Sequence, residues 1–381
     1  MPKKTGTPLA SAEASPALRV TSVDVMRGIT MAGMILVNTA GDFDHVYWPL
    51  EHVAWDGLHP ADLVFPFFVF VMGVSLVLAL GRARELGAPA RALWPKILRR
   101  AAILVALGIL AQNFPVFSPG DFRATGVLQR IALAYLGGAA AMLWLRGPAG
   151  WLALAAGLVA GHELLLSFVP VPGFPPGLRS AHGNLGEHLD RVVLGAHRLK
   201  SEFDPEGLLG TLPTIATTLF GMLAGRWLRD SREAGRALSG LVIAGLLGVI
   251  TGLALDPVVP VNKSLWSGSF VLVTAGLAAI LLAALHWIVD VRGLRRWALP
   301  FEMIGSNAIL VYVGSTLVNT TMVSLVVGPT GEQTPKEYLV QGLVWAGGSP
   351  ELGSFLYAVA FLGLWLGIAA LLWSRGIFVK I

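Results

Sequence analysis

The chain has 381 residues, of which 55% are hydrophobic and only 13% are charged, and its mean hydropathy is +0.68. Because about 25% of the residues of a soluble domain are charged, this composition excludes an ordinary soluble fold and indicates a polytopic membrane protein. Cysteine is absent, which excludes disulfides and thiol chemistry, and the isoelectric point near 9.7 reflects basic loops between apolar runs rather than a nucleic-acid partner.

A polar N-terminal stretch precedes ten apolar runs. Residues 1–18 are polar, small and proline-containing, and they predict a disordered cytoplasmic tail. Residues 19–381 are predicted to form one all-α transmembrane domain, a bundle of about ten helices, because a span needs about 20 apolar residues. The predicted spans are 25–40, 62–80, 97–112, 125–145, 150–169, 208–228, 237–255, 268–289, 303–326 and 354–373. The shorter run 336–347 predicts a re-entrant or interfacial helix.

Basic residues distinguish the two sides of the predicted bundle. They concentrate after spans 2, 4, 6 and 8 and at both chain ends, as in segments 82–100, 226–236 and 292–296. Cytoplasmic loops are enriched in lysine and arginine, so both termini are predicted to be cytoplasmic in a multi-pass protein of a bacterial inner membrane. Loop 170–207 is the partial exception: it mixes basic residues with acids and histidines, and it is predicted to face the substrate.

The first predicted outer loop contains the strongest candidate for chemistry. His52 lies between Trp48 and Trp55 and precedes two acids, Asp56 and Asp62. Aromatic neighbours that exclude water lower the pKa of an imidazole, and a carboxylate fixes its tautomer. This combination is typical of a general base, whereas a solvated loop histidine is the plainer interpretation.

Several predicted spans contain polar residues that a simple anchor does not need. Arg130, near the start of span 4, is either a snorkelling or paired arginine or a ligand for phosphate or carboxylate. Asn38 either joins two helices or polarises a carbonyl. Asp204 and Glu206 either cap a helix or belong to a site. Further candidates at the span ends are Gln129, Lys263, Trp266 and Asn307. Together they predict a hydrated cavity.

Seven segments in order resemble the heparan-α-glucosaminide N-acetyltransferase family of transmembrane acyltransferases. The segments are SVDVMRG, ILVN, HVAWDGLHPADLVFPFFVFVMG, GVLQRIALAY, FDPEGLLGTLPTIATTLFG, PVNKSLWSGSFVL and GSNAILVYVG. The resemblance implies acetyl transfer from acetyl-CoA to the amino group of a glucosamine unit across the membrane. It also implies that His52 is the active histidine and Asn38 its paired asparagine. Other matching family positions are Asp62, Gln129, Arg130, Glu206 and Lys263.

These arguments give a set of expected roles and partners. The expected catalytic residues are His52, Asn38 and Asp62; those for acetyl-CoA are Gln129, Arg130, Lys263, Trp266 and Asn307; those for the acceptor are Trp55, Asp204 and Glu206. The expected partners are acetyl-CoA, an amino-sugar acceptor and the lipid bilayer, with a homodimer as an option and with no metal or nucleic acid. Transfer is either direct or through an acetyl-imidazole. A transporter of amino sugars or related solutes is the alternative function.

Overall fold

The computed structural model describes residues 20–85, 87–120, 122–145, 147–199, 203–231, 233–327 and 333–379. The predicted disordered tail, 1–18, lies outside these ranges. The α-helices within them are α1 Thr21–Asn38, α2 Val64–Glu85, α3 Ala90–Asn113, α4 Val127–Trp144, α5 Gly147–Phe168, α6 Leu185–Leu194, α7 Thr211–Asp230, α8 Ala234–Leu255, α9 Gly268–Leu285, α10 Leu299–Ser306, α11 Ala308–Ser324, α12 Pro335–Gly347 and α13 Pro350–Ser374. The described residues contain no strand beyond isolated β-bridges, which confirms the predicted all-α class.

Each of the ten predicted spans coincides with a helix, or in one case with the pair α10 and α11. Within the described ranges, six helices are long and apolar enough to cross a membrane: α2, α4, α5, α8, α9 and α13. The α10–α11 pair, bent by 73°, would make a seventh. Helices α1, α3 and α7 contain more polar and charged residues and are not in this set, so the count of ten spans stays a prediction.

Helices α2 and α9 form the centre of the bundle. In each of the two, 72% of the residues in the apolar stretch of the span are buried. The corresponding shares in α5, α8 and α13 are 22%, 17% and 28%. Small residues allow close helix packing. A Cβ atom at Gly73 of α2 would lie 2.1 Å from the carbonyl oxygen of Thr218 in α7, and one at Gly28 of α1 would lie 1.8 Å from that of Phe301 in α10. This packing fixes the two helices that flank the His52 loop.

The two ends of α1 mark two distinct ends of the bundle. At its first turn, the backbone N–H of Ser22 donates to Oδ2 of Asp290, 3.2 Å away, in the turn that follows α9. Its last residue, Asn38, leads into the loop that contains His52. An 18-residue helix is about 27 Å long, so these ends define separate environments.

Candidate active site

The segment between α1 and α2 folds back over a buried carboxylate. Residues Pro60–Leu63 form a 3₁₀ turn that leads directly into α2. In this turn, Oδ2 of Asp62 accepts hydrogen bonds from the backbone N–H groups of His59 (3.0 Å) and Val53 (3.2 Å). The side chain of Asp62 is fully buried. Its two backbone bonds therefore hold the loop against the start of a central helix.

His52 and Lys263 meet at the other oxygen of this carboxylate. The Nδ1 atom of His52 lies 2.8 Å from Oδ1 of Asp62, and Nζ of Lys263 lies 3.1 Å from the same oxygen. The lysine Nζ is also 2.9 Å from Nδ1 and 3.2 Å from Nε2 of the imidazole. We call these side chains the His52–Asp62–Lys263 cluster. Of the two acids that follow His52 in the sequence, Asp62 is thus the one in contact with it.

These contacts favour one tautomer of the imidazole. A buried carboxylate accepts hydrogen bonds, so Nδ1 of neutral His52 donates its proton to Asp62. The lone pair then resides on Nε2, which lies 3.2 Å from Nζ of Lys263 and is the nitrogen that can accept a proton from an amine. The side chain of His52 is 44% exposed, so a substrate can approach it from the loop side. The cluster therefore has the arrangement of an oriented general base.

The loop that carries Lys263 is fixed by its neighbours. Asn262 donates through Nδ2 to Oδ1 of Asp56 at 3.0 Å, and its Oδ1 accepts from the backbone N–H of Leu265 at 2.7 Å. Trp266 follows with a left-handed φ of 55°. Burial lowers the pKa of Lys263 below its ordinary value, and the attraction of Asp62 for the ammonium opposes this only in part. The lysine is thus held beside His52 by the hydrogen bonds of its loop and by its ion pair with Asp62.

Other histidines in the described residues are also paired with acids. His45 lies 2.7 Å from Asp42, but both side chains are more than 40% exposed. His286 lies 3.0 Å from Asp290 at the far end of the bundle. Of the imidazole–carboxylate pairs in the described ranges, His52–Asp62 combines a fully buried acid with an adjacent ammonium. No group of three or more such side chains in these ranges could hold a metal ion.

The tryptophans around His52 do not enclose it as the sequence suggested. Trp48 is 64% exposed and packs edge-on against His59, with ring centroids 5.9 Å apart. Trp55 donates through Nε1 to the carbonyl of Arg179 at 2.9 Å and packs against Phe203. The indole that was expected to bind the acceptor therefore joins the His52 loop to the long outer loop.

Asp204 and Glu206, expected to bind the acceptor, are joined by an arginine that the sequence reasoning missed. Nη2 of Arg123 lies 2.7 Å from a carboxylate oxygen of each acid. The other Asp204 oxygen accepts from the hydroxyl of Thr125 and the N–H of Leu199. Burial alone would raise the pKa of Asp204, but the Arg123 contact lowers it. The two acids thus belong to a largely buried hydrogen-bond network. The sequence did not predict this network, because Arg123 is a single arginine in a short loop far from both acids in the chain.

Arg130 is almost fully buried, only 2% exposed, beside the Lys263 loop. Its Nη2 donates to the carbonyl of Gly207 at 2.7 Å, and its guanidinium lies over the ring of buried Trp266, 5.4 Å from the centroid. Among the described residues, its Nε and Nη1 atoms have no hydrogen-bond partner. A small cavity lies here, lined in part by Arg130, Asp190, Ser264 and Leu265. The cavity connects the arginine with the two residues that follow Lys263.

The remaining predicted residues lie elsewhere. Asn38 is exposed at the end of α1, and no hydrogen bond joins it to His52 in the described structure. Gln129 is buried against Gly108 of α3 and donates to the carbonyl of Thr125 at 3.3 Å. Asn307 lies at the α10–α11 break, where its amide binds the backbone of Ile377 and Val379. Gly305, two residues earlier, packs on Asp24 of α1. Asn307 therefore belongs to the end of the bundle opposite His52.

Comparison with known proteins gives a consistent match. Residues 19–251 match the family described as heparan-alpha-glucosaminide N-acetyltransferase, catalytic. The chain is 30% identical to the heparan-alpha-glucosaminide N-acetyltransferase of Mus musculus, over 96% of this chain and 61% of that protein. It is 32% identical to the Homo sapiens protein of the same name, over 95% of this chain and 60% of that protein. The chain thus spans about three fifths of the length of these relatives.

Proposed function

The chain belongs to the heparan-alpha-glucosaminide N-acetyltransferase family, and we propose that it is a membrane-bound acetyltransferase. It transfers an acetyl group from acetyl-CoA to the amino group of a glucosamine-type sugar on the periplasmic side of a bacterial inner membrane. The observation that carries this proposal is the hydrogen bond between His52 and the fully buried Asp62. Both residues lie within the part of the chain that matches the family.

In the proposed reaction, Asp62 orients His52 and Nε2 receives a proton. The acceptor amine attacks the thioester carbon, a C–N bond forms and the C–S bond breaks. The proton that the nitrogen loses passes to Nε2 of His52 and then to the sulfur of CoA, which leaves as a thiol. A general base typically contributes about 10²–10⁴-fold to a rate. In the alternative route the imidazole itself first carries the acetyl group.

Arg130 and Trp266 are the residues that we propose to bind the CoA part of the donor. Two nitrogens of the buried guanidinium, Nε and Nη1, have no partner among the described residues, and their N–H groups suit phosphate or carboxylate oxygens. The guanidinium lies over the ring of Trp266. The indole N–H of Trp266 donates to the hydroxyl of Thr217 at 3.1 Å, which holds the ring in place. Asn38, exposed where the His52 loop begins, is proposed to donate to the acetyl carbonyl oxygen. Acetyl-CoA supplies the activated thioester on which this chemistry depends.

The proposed topology has ten spans with both termini in the cytoplasm. It is supported by the ten helical segments and by basic residues concentrated at one set of connections. His52 follows the end of α1 that is distant from the N-terminus, which puts it on the outer side in this topology. Acetyl-CoA is cytoplasmic, so the thioester end of the donor has to reach His52 through the bundle.

The proposed function is tested with purified protein in detergent. Release of CoA thiol from acetyl-CoA, together with formation of N-acetylglucosamine, is expected when glucosamine is added. The predicted alternative, a transporter, gives a different result: counterflow of amino sugar in liposomes that contain no acetyl-CoA. Counterflow without any acetyl transfer would overturn the acetyltransferase proposal.

A further inference from the structure

The His52–Asp62–Lys263 cluster contains its own primary amine. Nζ of Lys263 lies 2.9 Å from Nδ1 of His52 and 3.2 Å from Nε2, the nitrogen that takes a proton from the acceptor in the proposed reaction. An acceptor amine has to come within hydrogen-bonding distance of the same nitrogen. Lys263 therefore resembles the acceptor in two respects: it is a primary amine, and it lies within hydrogen-bonding distance of Nε2.

The surroundings of Lys263 favour its neutral form more than those of a surface lysine. Burial lowers the pKa of Lys263, although Asp62 opposes this shift. The adjacent imidazole can take the proton that the ammonium loses. The lysine side chain is 19% exposed and His52 is 44% exposed, so the cluster opens to the solvent. A thioester delivered to His52 would thus meet two amines, the acceptor and Lys263.

We propose that Lys263 is a self-acetylation site that inactivates the protein when acetyl-CoA is present without an acceptor. This rests on the proposed acetyltransferase function. Nζ of Lys263 attacks the thioester carbon, so that a C–N bond forms and the C–S bond breaks. One proton from the nitrogen passes through Nε2 of His52 to the departing sulfur, and CoA leaves as a thiol. The product is an amide, and no further group is needed to balance the reaction.

The modified lysine blocks the site in two ways. Acetylation removes the positive charge that faces Asp62, 3.1 Å away, and so leaves this buried carboxylate without its ion-pair partner. It also places the acetyl group beside the imidazole, in the space that the acceptor amine needs. An amide is a much weaker acyl donor than a thioester, so CoA thiol does not readily take the acetyl group back.

Lys336 is a matched internal control for this chemistry. It is also buried, 6% exposed, at the start of α12. Its Nζ lies over the rings of Phe43 (5.1 Å) and Tyr357 (5.8 Å), and no imidazole contacts it in the described part of the chain. A lysine that reacts only because it is buried would behave like Lys336. Reaction directed by His52 would be confined to Lys263.

In the test, the purified 381-residue chain is incubated in detergent with acetyl-radiolabelled acetyl-CoA and no acceptor, and its peptides are then analysed by mass spectrometry. The expected result is one acetyl group on Lys263, none on Lys336, and label that resists hydroxylamine, which removes acetyl from imidazole. His52→Gln is expected to reduce this label about tenfold or more. Lys263→Arg keeps the positive charge and should give no label at this position. Pre-incubated wild-type protein should have lost its turnover with glucosamine in proportion to the acetylated fraction.

The same preparation separates the two proposals. Protein that acetylates glucosamine but leaves Lys263 unmodified after the acceptor-free incubation would overturn self-acetylation alone. Equal labelling of Lys263 and Lys336, or equal labelling in His52→Gln, would show uncatalysed acetylation and would also overturn it. If neither glucosamine nor Lys263 receives acetyl, the proposed function fails and self-acetylation fails with it.

Discussion

Nδ1 of His52 lies 2.8 Å from Oδ1 of Asp62, and this hydrogen bond joins an exposed loop to a buried turn. His52 is in a loop and is 44% exposed, whereas Asp62 is fully buried in the turn that starts α2. The hydrogen bond therefore fixes an accessible imidazole to a central helix. A base held in this way loses little conformational freedom when a substrate binds, which is what orientation contributes to catalysis.

Asp62→Asn tests this orientation. The amide keeps the volume of the side chain but removes the charge, and its NH₂ group cannot accept bonds from the N–H groups of Val53 and His59 if it faces them. We expect turnover to fall about 10²-fold or more and the free energy of unfolding to fall by about 1–3 kcal/mol. Acetyl transfer assays and thermal unfolding in detergent measure the two effects. Unchanged turnover would remove Asp62 from the reaction.

Arg130→Lys tests the proposed acetyl-CoA contact. Lysine keeps the charge but loses the planar fork that binds two oxygens at once. We expect KM for acetyl-CoA to rise about tenfold, equivalent to about 1.4 kcal/mol, with a smaller change in kcat. Arg100→Lys is the control, because Arg100 also lies over an aromatic ring, that of Tyr135, at 4.9 Å. Equal KM values in the two variants would contradict the contact.

Arg123→Met separates a structural role of Asp204 and Glu206 from a role in binding the acceptor. Removing the arginine leaves two carboxylates without a cation in a largely buried network, and we expect a loss of about 3–5 kcal/mol in unfolding free energy. Arg226→Met is the control, because its pair with Asp230 is exposed and should contribute less than about 1 kcal/mol. Normal stability with a raised KM for the sugar would instead assign the acids to the acceptor.

Asp190 should make stability depend on pH. Burial raises the pKa of Asp190 to about 6 in the folded protein, against an ordinary value of 3.8. Between these values the folded state binds the proton and the unfolded state does not, so the free energy of unfolding falls as pH rises through this window. The loss reaches at most about 3 kcal/mol.

Asp190→Asn should reduce this dependence. The side-chain oxygen can still accept from the N–H of Leu208, which Asp190 binds at 2.8 Å, so the fold is preserved. Melting temperatures at pH 5 and pH 7.5 compare the two proteins, and the wild-type chain should lose more stability between them. Identical pH profiles would show that Asp190 does not titrate in this window.

The helices were largely predictable from sequence because each apolar run is long enough to form one. A carboxylate beside His52 was also predictable, since Asp56 and Asp62 follow it within ten positions, but the sequence did not decide which of the two contacts the imidazole. The position of Lys263 was not, because it is 211 residues from His52 in the chain. Neither was the role of Arg123, whose two acid partners are about 80 residues away.

Polar residues in apolar runs gave an incomplete indication of the site. Arg130 does lie beside a cavity next to the Lys263 loop. Asn307 instead binds the backbone near the C-terminus, at the break between α10 and α11. An asparagine in a span forms hydrogen bonds either with a ligand or with backbone groups that lack a helical partner, and the sequence does not distinguish these two roles.

The central claim is that acetyl transfer depends on the imidazole of His52, and a paired substitution tests it most directly. His52→Gln and His45→Gln change two histidines of one loop, each bonded through Nδ1 to an aspartate, at 2.8 Å and 2.7 Å. The measurement is the initial rate of glucosamine-dependent CoA release by each purified variant and by the wild-type protein. We expect His52→Gln to lose about 10²–10⁴-fold in rate while His45→Gln stays near the wild-type rate. A folded His52→Gln protein with a rate close to wild type would contradict the account.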